Sequence, residues 1–344
     1  MGFDVAALAV ESTVTIHVAL ATDTAYLPWC ATTVRSCLDV VAAGELHVHL
    51  LHDQPVEPDK REHLAAMVRT AGGSVSWHLV APERLEMLPS KGVALGGRTS
   101  WIRVVLPEVL PDVDRVIYLD ADVLVLDTLE PLWATDLTRV PIAAVANVVE
   151  PDHHPHVRDL GLDPTGGYFN AGVLVMDLEA MRRDGTVGSL TDYVREHATR
   201  LAWFDQDALN VAFAGAWHHL HPRWNAQNSL RTWAAWASEV FGPDARAEAV
   251  EHPAILHFEG PAVCKPWHLL CDHPFRDQYR RTLARTPWAA QPVEGVTPLN
   301  RIISRLPADR RLPAYVRAVQ ARMLADRVMR RIGGVESPAP QRRG

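Results

Sequence analysis

The N-terminal part of the chain alternates between apolar segments typical of buried strands and segments with helical spacing. Strands are predicted at Thr13–Ala21, Leu46–Leu51 and Ser74–Val80, and helices at Trp29–Val41 and Pro58–Ala71. Such alternation calls for a mostly parallel sheet covered by helices. Ligands in open sheets of this kind bind at the carboxyl ends of the strands, so the loop after the first strand is a candidate binding site.

A second apolar stretch, Arg115–Leu126, contains two carboxylates, Asp120 and Asp122. Residues two apart on a strand point to the same face, so the pair is expected to converge on one cation where the strand ends. Two close carboxylates repel each other, and a hard divalent ion relieves that repulsion. An acidic surface turn is the alternative, which Asp-x-Asp alone favours, whereas the apolar flanks favour the metal site.

Further elements are predicted along the rest of the chain. Gly92–Gly97 and Glu150–His156 are predicted to be loops, the second because prolines interrupt its three histidines and no helical spacing joins them into a metal site. The other predicted elements are helices at Arg98–Leu110, Asp192–Thr199 and from Phe204, and strands at Val140–Val148, Val173–Met176 and Ala254–Phe258.

Four motifs in a fixed order give a more specific signal. They are Tyr118-Leu-Asp-Ala-Asp-Val-Leu-Val125, Phe169-Asn-Ala-Gly-Val-Leu-Val-Met-Asp177, Asp205-Gln-Asp-Ala-Leu-Asn210, and His257-Phe-Glu-Gly-Pro261 followed by Lys265-Pro-Trp267. Together they resemble the bacterial and eukaryotic retaining glycosyltransferases of family 8, and the likeness runs from Thr15 to His268. The resemblance implies a GT-A fold, with a mostly parallel, Rossmann-like nucleotide-binding sheet in a catalytic domain at residues 1–270. It does not cover residues 271–344, which are predicted to form a basic helical segment.

The resemblance implies that the first loop holds the nucleotide. Ala21 and Thr22 would contact it, Asp23 would bond the uracil edge, and Tyr26 would stack on the base. The roles of Asp23 and Tyr26 are chemically sound, because a carboxylate can accept a hydrogen bond from the imide N–H of uracil and an aromatic face suits a base. The alternatives are a helix N-cap for Asp23 and a packed aromatic side chain for Tyr26.

The resemblance also implies contacts to the donor's phosphates and sugar. Asp120 and Ala121 would touch the donor, and Arg103 would face its phosphates; a surface salt bridge is the alternative for the arginine. Asn170 offers donor and acceptor atoms to sugar hydroxyls, and the small Ala171 lets backbone approach the ligand closely. A tight turn before a strand is the alternative for this pair.

The third motif is expected to divide its roles between neighbours. On a helix Asp205 and Asp207 do not share a face, so they are not a second metal pair. The resemblance implies catalytic positions for Asp205, which would hold the donor sugar, and Gln206, which would lie beneath the anomeric carbon. A bias of acids towards helix N-termini explains the two aspartates without function, but not the glutamine. Asn147 falls where one bacterial relative has an acid that touches the acceptor.

His257 completes the implied metal site. A neutral imidazole beside Asp120 and Asp122 makes a mixed nitrogen and oxygen site that suits Mn²⁺ or Mg²⁺. Gly260 and Lys265 would contact the donor diphosphate. The chain departs from the family here, because four residues separate Gly260 from Lys265 instead of two, so Lys265 is expected on a longer loop.

Composition limits the classes of function. The 344 residues are 48% hydrophobic and 22% charged, enough for a large core, and the four cysteines lack the spacing of a disulfide scaffold or zinc knuckle. No leader or bilayer-spanning run is recognised, so a cytoplasmic protein is expected. The net charge of −7 divides into +8 from Arg301 to Gly344 and −15 elsewhere. A nucleic-acid binder would carry its basic patch on the fold itself, so that class is excluded.

The basic tail is predicted to contain one amphipathic helix. Leu312–Ile332 has apolar residues at helical spacing with arginines between them. Such a helix can lie on an anionic membrane surface, pack on the acidic body, or join two copies of the chain. Gly333–Gly344 is expected to be disordered.

Together with the resemblance, these features imply metal-dependent transfer of a hexose, glucose or galactose, from a UDP-sugar to an acceptor hydroxyl with an α-linkage. The acceptor can be a saccharide, a lipid-linked molecule or a small molecule. A nucleotidyltransferase is one alternative, but no Gly- and basic-rich phosphate loop follows the first strand. A non-catalytic nucleotide-sugar-binding protein is another, but the candidate ligand residues are all present.

Overall fold

A computed structural model describes residues 14–86, 88 and 97–333, which divide into two compact units. The first comprises the described residues up to Glu259 together with Gln278–Gln291. The second comprises Gly260–Asp277 and the described residues from Pro292 onward. The domain boundary at residue 270 stays a prediction.

All the strands among the described residues lie in the first unit and form two sheets. They are β1 (Ile16–Ala21), β2 (Leu46–His52), β3 (Ser74–Leu79), β4 (Arg115–Leu119), β5 (Val123–Val125), β6 (Ile142–Ala146), β7 (Phe169–Asp177), β8 (His218–His219), β9 (Ala226–Gln227) and β10 (Ile255–His257). The large sheet has the order β3-β2-β1-β4-β7-β6-β8, in which β7 alone runs against its neighbours. The small sheet has the order β5-β10-β9. The predicted mostly parallel sheet is confirmed.

The α-helices of the described residues are distributed over both units. They are α1 (Leu27–Leu38), α2 (Pro58–Thr70), α3 (Pro82–Glu86), α4 (Leu106–Val109), α5 (Glu130–Trp133), α6 (His154–Asp159), α7 (Leu178–Arg183), α8 (Thr186–His197), α9 (Phe204–Ala212), α10 (Ser229–Thr232), α11 (Ala234–Phe241), α12 (Pro243–Glu251), α13 (Arg276–Leu283), α14 (Pro298–Ile303) and α15 (Ala308–Gly333). Short 3₁₀ helices occupy Gly97–Val105, Pro151–His153, Ala198–Arg200, Pro222–Asn225 and Ala262–Cys264.

Side chains alternate across β7 and so contribute to two separate cores. Leu174 and Met176 belong to the core under α4, α7, α8 and α9, whereas Val173 and Val175 belong to the core under α1, α2 and α5. Burial on both faces explains why the central strands are almost uninterrupted apolar runs instead of alternating ones.

Several predicted elements differ from those observed. The predicted helix Arg98–Leu110 is a 3₁₀ helix followed by the short α4, because its β-branched residues and Pro107 disfavour a continuous α-helix. The predicted loop Glu150–His156 is a 3₁₀ turn that leads into α6. The predicted helix Asp192–Thr199 belongs to a helix that already begins at Thr186.

Some predictions fall where the structure does not describe the chain. These are the first residue of the strand Thr13–Ala21, the loop Gly92–Gly97 except for its last residue, and the tail after Gly333. The predicted C-terminal helix Leu312–Ile332 lies within α15.

The second unit has a small core of its own. Val263, Leu270 and Ile303 are buried together, and Ala314 and Tyr315 of α15 pack against them. The start of α15 is therefore attached to its own unit, while Leu312, Val316 and Val319 are at least 38% exposed.

Four histidines lie together on one face of β1, β2 and β3. His49 bonds His17 on one side at 2.9 Å and His78 on the other at 3.2 Å, and the ring of His47 lies 4.4 Å from that of His49. Burial lowers the pKa of each of the four imidazoles, and that of His49 to about 3. The folded chain therefore disfavours protonation that the unfolded chain accepts near pH 6.5.

This histidine cluster predicts acid sensitivity. The contribution of these histidines to the free energy of unfolding is fully present above pH 6.5. It is lost as the pH decreases, because only the unfolded state takes up the protons. Between pH 7.5 and pH 5.0 the buried His49 alone accounts for a loss of about 2 kcal/mol in the free energy of unfolding. Urea titrations at the two pH values should show that the wild type loses about 2 kcal/mol more of its free energy of unfolding than His49→Gln does. His63→Gln, which changes an exposed histidine of α2, is the control; an equal effect of both substitutions would contradict the role of the cluster.

Candidate active site

The three predicted metal ligands come together where the two sheets meet. Asp120 follows the end of β4, and Asp122 immediately precedes β5. β10 pairs with β5 in antiparallel register, with His257 opposite Val123. One ligand atom of each of the three residues lies within 4.8 Å of the others. Asp120 directly follows β4 and Asp122 lies in the turn before β5, so, contrary to the prediction, the two carboxylates do not share one strand face.

The chemistry of this group fits a divalent cation. His257 Nε2 lies 3.4 Å from Asp122 Oδ1 and 3.9 Å from Asp120 Oδ2, and the imidazole is buried. Burial alone would lower the pKa of His257, but the charges of Asp122 and Asp120 outweigh it and raise this pKa. The same negative potential attracts a metal ion, and two carboxylates with one imidazole form a donor set suited to Mn²⁺ or Mg²⁺.

Gly172 of β7 is part of this arrangement because it lies directly under the ligands. A Cβ at this position would stand 2.3 Å from His257 Cε1 and 2.9 Å from Asp120 Oδ2. The backbone contributes as well, since Asp120 N donates to Gly172 O over 2.8 Å. The alternative of a tight turn at Asn170 and Ala171 is wrong: the motif lies inside β7, opposite an irregularity of β6 at Ala144 and Val145.

Arg103 is a buried ion-pair centre and not a surface salt bridge. Its Nη2 lies 2.8 Å from Asp120 Oδ1 and its Nε lies 3.0 Å from Asp205 Oδ2. It also donates through Nη1 to Ala171 O over 2.5 Å, and its guanidinium lies over the ring of Tyr118. The arginine thus links the candidate metal site to the third motif and fixes the orientation of Asp120.

Asp205 is held next to an unusual backbone conformation. Burial raises its pKa to about 6, while Arg103 opposes the rise. The preceding residue, Phe204, is the one non-glycine residue with a positive φ (48°) among the residues that the structure describes. Such strained conformations persist at sites where the surrounding structure demands a particular side-chain placement.

Gln206 and Asp207 contact other groups than Asp205 does. Gln206 Oε1 accepts from Ala171 N over 3.0 Å, and its Nε2 donates to Tyr168 Oη over 3.2 Å. The fully buried Asp207 accepts from Tyr168 Oη over 2.6 Å and from Trp203 N over 2.8 Å. The two aspartates of this motif therefore lie in different environments, as the helical spacing predicts.

His156 is a partner of Asp207 that the sequence did not suggest. Its Nε2 lies 2.9 Å from Asp207 Oδ2, although residues 150–156 were expected to be an isolated polar loop. Nothing local in the sequence signals this contact, because the two residues are 51 positions apart.

The first loop shows features of both predicted readings. Asp23 Oδ1 accepts from Tyr26 N over 2.7 Å, so the carboxylate stabilises the turn that leads into α1. Tyr26 is 41% exposed and therefore not a packed core aromatic. Ala21 ends β1 and Thr22 follows it. Both are buried, as is Ala121 between the two carboxylates.

The remaining predicted residues lie at two other places. Asn147 accepts from Asn170 Nδ2 through Oδ1 over 3.1 Å, so it contacts a predicted donor-site residue. Gly260 and Lys265 belong to the second unit, where Gly260 has a φ of +91° and Lys265 is buried just after the 3₁₀ helix Ala262–Cys264. The longer loop therefore forms a helical turn.

The fold and this site define a glycosyltransferase of GT-A architecture. The chain belongs to glycosyl transferase family 8, whose profile matches residues 17–271. It is 33% identical over 195 residues to general stress protein A of Bacillus subtilis, a match that covers 56% of this chain and 66% of that one. It is 24% identical over 279 residues to lipopolysaccharide 1,3-galactosyltransferase of Salmonella typhimurium, covering 79% of each.

A solved structure gives the same likeness in three dimensions. The galactosyltransferase LgtC, in complex with donor and acceptor sugar analogs, superposes with a TM-score of 0.70 at 28% identity. The match covers 79% of this chain and 96% of LgtC. Within the described ranges, none of the helices combines the length and the apolar character needed to cross a bilayer.

The close packing of Gly172 predicts a strong effect of a single methyl group. Gly172→Ala should weaken Mn²⁺ binding about tenfold or more, because the added Cβ displaces the imidazole and a carboxylate. Isothermal titration with Mn²⁺ measures the change, with circular dichroism to check folding. Gly188→Ala on α8, where an added Cβ meets nothing within 4 Å, is the matched control. Unchanged Mn²⁺ affinity in folded Gly172→Ala would show that the ligands do not hold the ion as described.

Proposed function

We propose that this family 8 enzyme transfers a hexose, galactose or glucose, from a UDP-hexose to an acceptor hydroxyl, with a divalent cation and with retention to give an α-linkage. The observation that carries the proposal is the convergence of Asp120, Asp122 and His257 beside the Arg103–Asp205 ion pair. Two similar proteins are named galactosyltransferases, and one of them binds donor and acceptor sugar analogs. The acceptor is proposed to be a saccharide, a lipid-linked molecule or a small molecule.

The cation would be held by Asp120, Asp122 and His257. When bound there, Mn²⁺ or Mg²⁺ neutralises negative charge that develops on the leaving diphosphate. Two further groups are proposed to hold the donor: Tyr26 stacks on the uracil, and Lys265 with Gly260 contacts the diphosphate.

Arg103 is proposed to act near the donor through the two carboxylates that it binds. It keeps Asp205 ionised against the effect of burial, so that the carboxylate can accept hydrogen bonds from sugar hydroxyls. It also holds Asp120 in place before the donor enters. A preorganised site of this kind requires little rearrangement when the reaction occurs.

Gln206 is proposed to lie beneath the anomeric carbon. Two neighbours determine the orientation of its amide. Ala171 N donates a hydrogen bond to the amide oxygen, and Tyr168 Oη accepts one from the amide nitrogen. An amide is a poor nucleophile, so we favour attack of the acceptor on the same face from which UDP departs, without a covalent enzyme intermediate. Asn170 is proposed to contact the donor sugar, and Asn147 the acceptor.

The proposal predicts metal-dependent turnover that depends on the carboxylates. With Mn²⁺ and a panel of mono- and disaccharide acceptors, UDP-galactose or UDP-glucose should release UDP and yield an α-linked product, identified by proton NMR of the new anomeric centre. Chelation should abolish the reaction, and Asp122→Ala should lower kcat/KM at least about a hundredfold. Glu130→Ala, an exposed acid on α5, is the matched control.

Each alternative has its own outcome in this experiment. A β-linked product would contradict retention, and transfer of the nucleotidyl group from the UDP-hexose with release of hexose 1-phosphate would identify a nucleotidyltransferase. Binding of the donor without turnover under all conditions would identify a non-catalytic binding protein.

For the second unit we propose peripheral contact with an anionic membrane on the cytoplasmic face, with a homo-oligomer contact as the alternative. Exposed aliphatic side chains stand among arginines on α14, α15 and their connection: Leu299, Ile302, Leu306, Leu312, Val316 and Val319. A surface that combines aliphatic groups with positive charge suits the interface of an acidic bilayer.

This proposal predicts charge-dependent sedimentation with vesicles. The full chain should bind phosphatidylserine vesicles at low salt and leave them as salt increases. A triple variant with Arg305, Arg310 and Arg317 changed to Gln should bind about a hundredfold more weakly, at about 1 kcal/mol for each basic residue. The matched control changes the exposed Arg183, Arg195 and Arg231 of the first unit. Absence of wild-type binding, or equal binding by both variants, would contradict membrane contact through this segment.

A further inference from the structure

A chain of buried amides leads from the backbone of β7 to the imidazole of His257. Gly172 N donates to Asn170 Oδ1 over 2.9 Å, and Asn225 Nδ2 donates to the same oxygen over 2.9 Å. Asn225 Oδ1 then lies 3.0 Å from His257 Nδ1. The Asn225 side chain is fully buried. None of the sequence motifs contains Asn225, and its contact with the histidine joins residues 32 positions apart.

The positions of these residues follow from the small sheet. Asn225 ends the 3₁₀ helix Pro222–Asn225 and directly precedes β9. β9 runs parallel to β10, with Gln227 opposite His257. The backbone pairing of Leu256 with Ala226 therefore holds the asparagine beside the histidine ring independently of the side chains themselves.

The orientation of each amide in this chain is determined by the first donor. A backbone N–H can only donate, so the atom of Asn170 that faces Gly172 N must be its oxygen. Since that oxygen can only accept, Asn225 must present its NH₂ group to Asn170. The oxygen of Asn225 consequently faces His257. Asn170 Nδ2 donates to Asn147 Oδ1 at 3.1 Å, which agrees with the same orientation.

The last member of the chain fixes the hydrogen of the imidazole. Because Asn225 Oδ1 accepts only, His257 Nδ1 must carry a hydrogen. In the neutral ring the lone pair then lies on Nε2, which is the nitrogen that faces Asp122 and Asp120. The opposite tautomer would place the Nδ1 lone pair against the lone pairs of the asparagine oxygen. Partners of this kind orient metal-ligating histidines and set which nitrogen is free.

We infer that Asn225 is a positioning residue, which holds His257 in the tautomer whose Nε2 can ligate a cation, and that Asn170 transmits this choice from the backbone of Gly172. That the ligand of His257 is a cation rests on the proposed metal-dependent function. The tautomer of His257 follows from the hydrogen bonds and does not depend on that function. Asn225 acts through His257 and does not touch the reacting atoms.

The test compares two substitutions at Asn225 in the full chain with two readouts. Asn225→Leu removes the acceptor, whereas Asn225→Asp keeps an oxygen that accepts from Nδ1–H. The first readout is the Mn²⁺ dissociation constant from isothermal titration. The second is the nitrogen-15 shift of both His257 ring nitrogens without metal at mildly alkaline pH, assigned by difference from His257→Gln.

The wild type should show a protonated Nδ1 and an unprotonated Nε2. Asn225→Leu should lose this tautomer preference and bind Mn²⁺ about ten- to a hundredfold more weakly. Asn225→Asp should restore the protonated Nδ1 and bind Mn²⁺ more tightly than the leucine variant. Asn228→Leu is the matched control, because Asn228 lies three residues on and donates to Glu259 O over 2.7 Å instead of to the imidazole.

Two results would overturn the inference. One is a protonated Nε2 in the metal-free wild type. The other is a folded Asn225→Leu variant, checked by circular dichroism, with wild-type Mn²⁺ affinity and unchanged ring shifts. If the wild type binds no Mn²⁺, the proposed metal-dependent function fails, and the ring shifts of the wild type and the leucine variant still decide whether Asn225 fixes the tautomer.

Discussion

The buried guanidinium of Arg103 is the interaction on which the candidate site depends. It lies between Asp120 and Asp205, two carboxylates from distant parts of the chain, and would be strongly destabilised in the interior without them. The carboxylates in turn need its charge, because each is removed from water to a large extent. The buried charges thus compensate each other before any ligand binds. This compensation favours one arrangement of the 3₁₀ helix Gly97–Val105, β4 and α9.

Around this ion pair three polar side chains, Arg103, Gln206 and Asn170, are hydrogen-bonded to backbone groups of β7. Ala171 O receives a hydrogen bond from Arg103, Ala171 N donates to Gln206, and Gly172 N donates to Asn170. These contacts explain why the motif lies inside a strand: an extended backbone presents consecutive N–H and C=O groups in fixed directions. The lack of a side chain at Gly172 lets the metal ligands approach that backbone. One strand therefore sets the geometry of three separate side-chain systems.

The sequence predicted the mostly parallel sheet and the proximity of Asp120 to Asp122 because their signals are local, whereas His257 was predicted through the resemblance to family 8. Apolar runs fix the strands, and the two aspartates sit where such a run is interrupted. The roles of Asn225, Tyr168 and His156 could not be predicted, since each depends on a contact between segments far apart in the chain. The 3₁₀ conformation around Arg103 and the strand conformation at Asn170 were also missed. At Asn170 tertiary packing overrides the local preference, which for Asn and Gly favours a turn. Around Arg103 the β-branched residues and Pro107 disfavour the α-helix that the spacing of apolar residues predicted.

The separation of the metal ligands along the chain also bears on how the protein is made. Asp120 and Asp122 leave the ribosome long before His257, and the large sheet needs none of the residues of β10. During synthesis, therefore, the central sheet can form with two adjacent carboxylates that still lack their imidazole and the strand that carries it. Pairing of β10 with β5 then places His257 beside Asp120 and Asp122 and completes the set of three candidate ligands. A chain interrupted before β10 would hold the strands of the large sheet with only two of the three candidate ligands, so the candidate metal site is completed only after β10 has been synthesised.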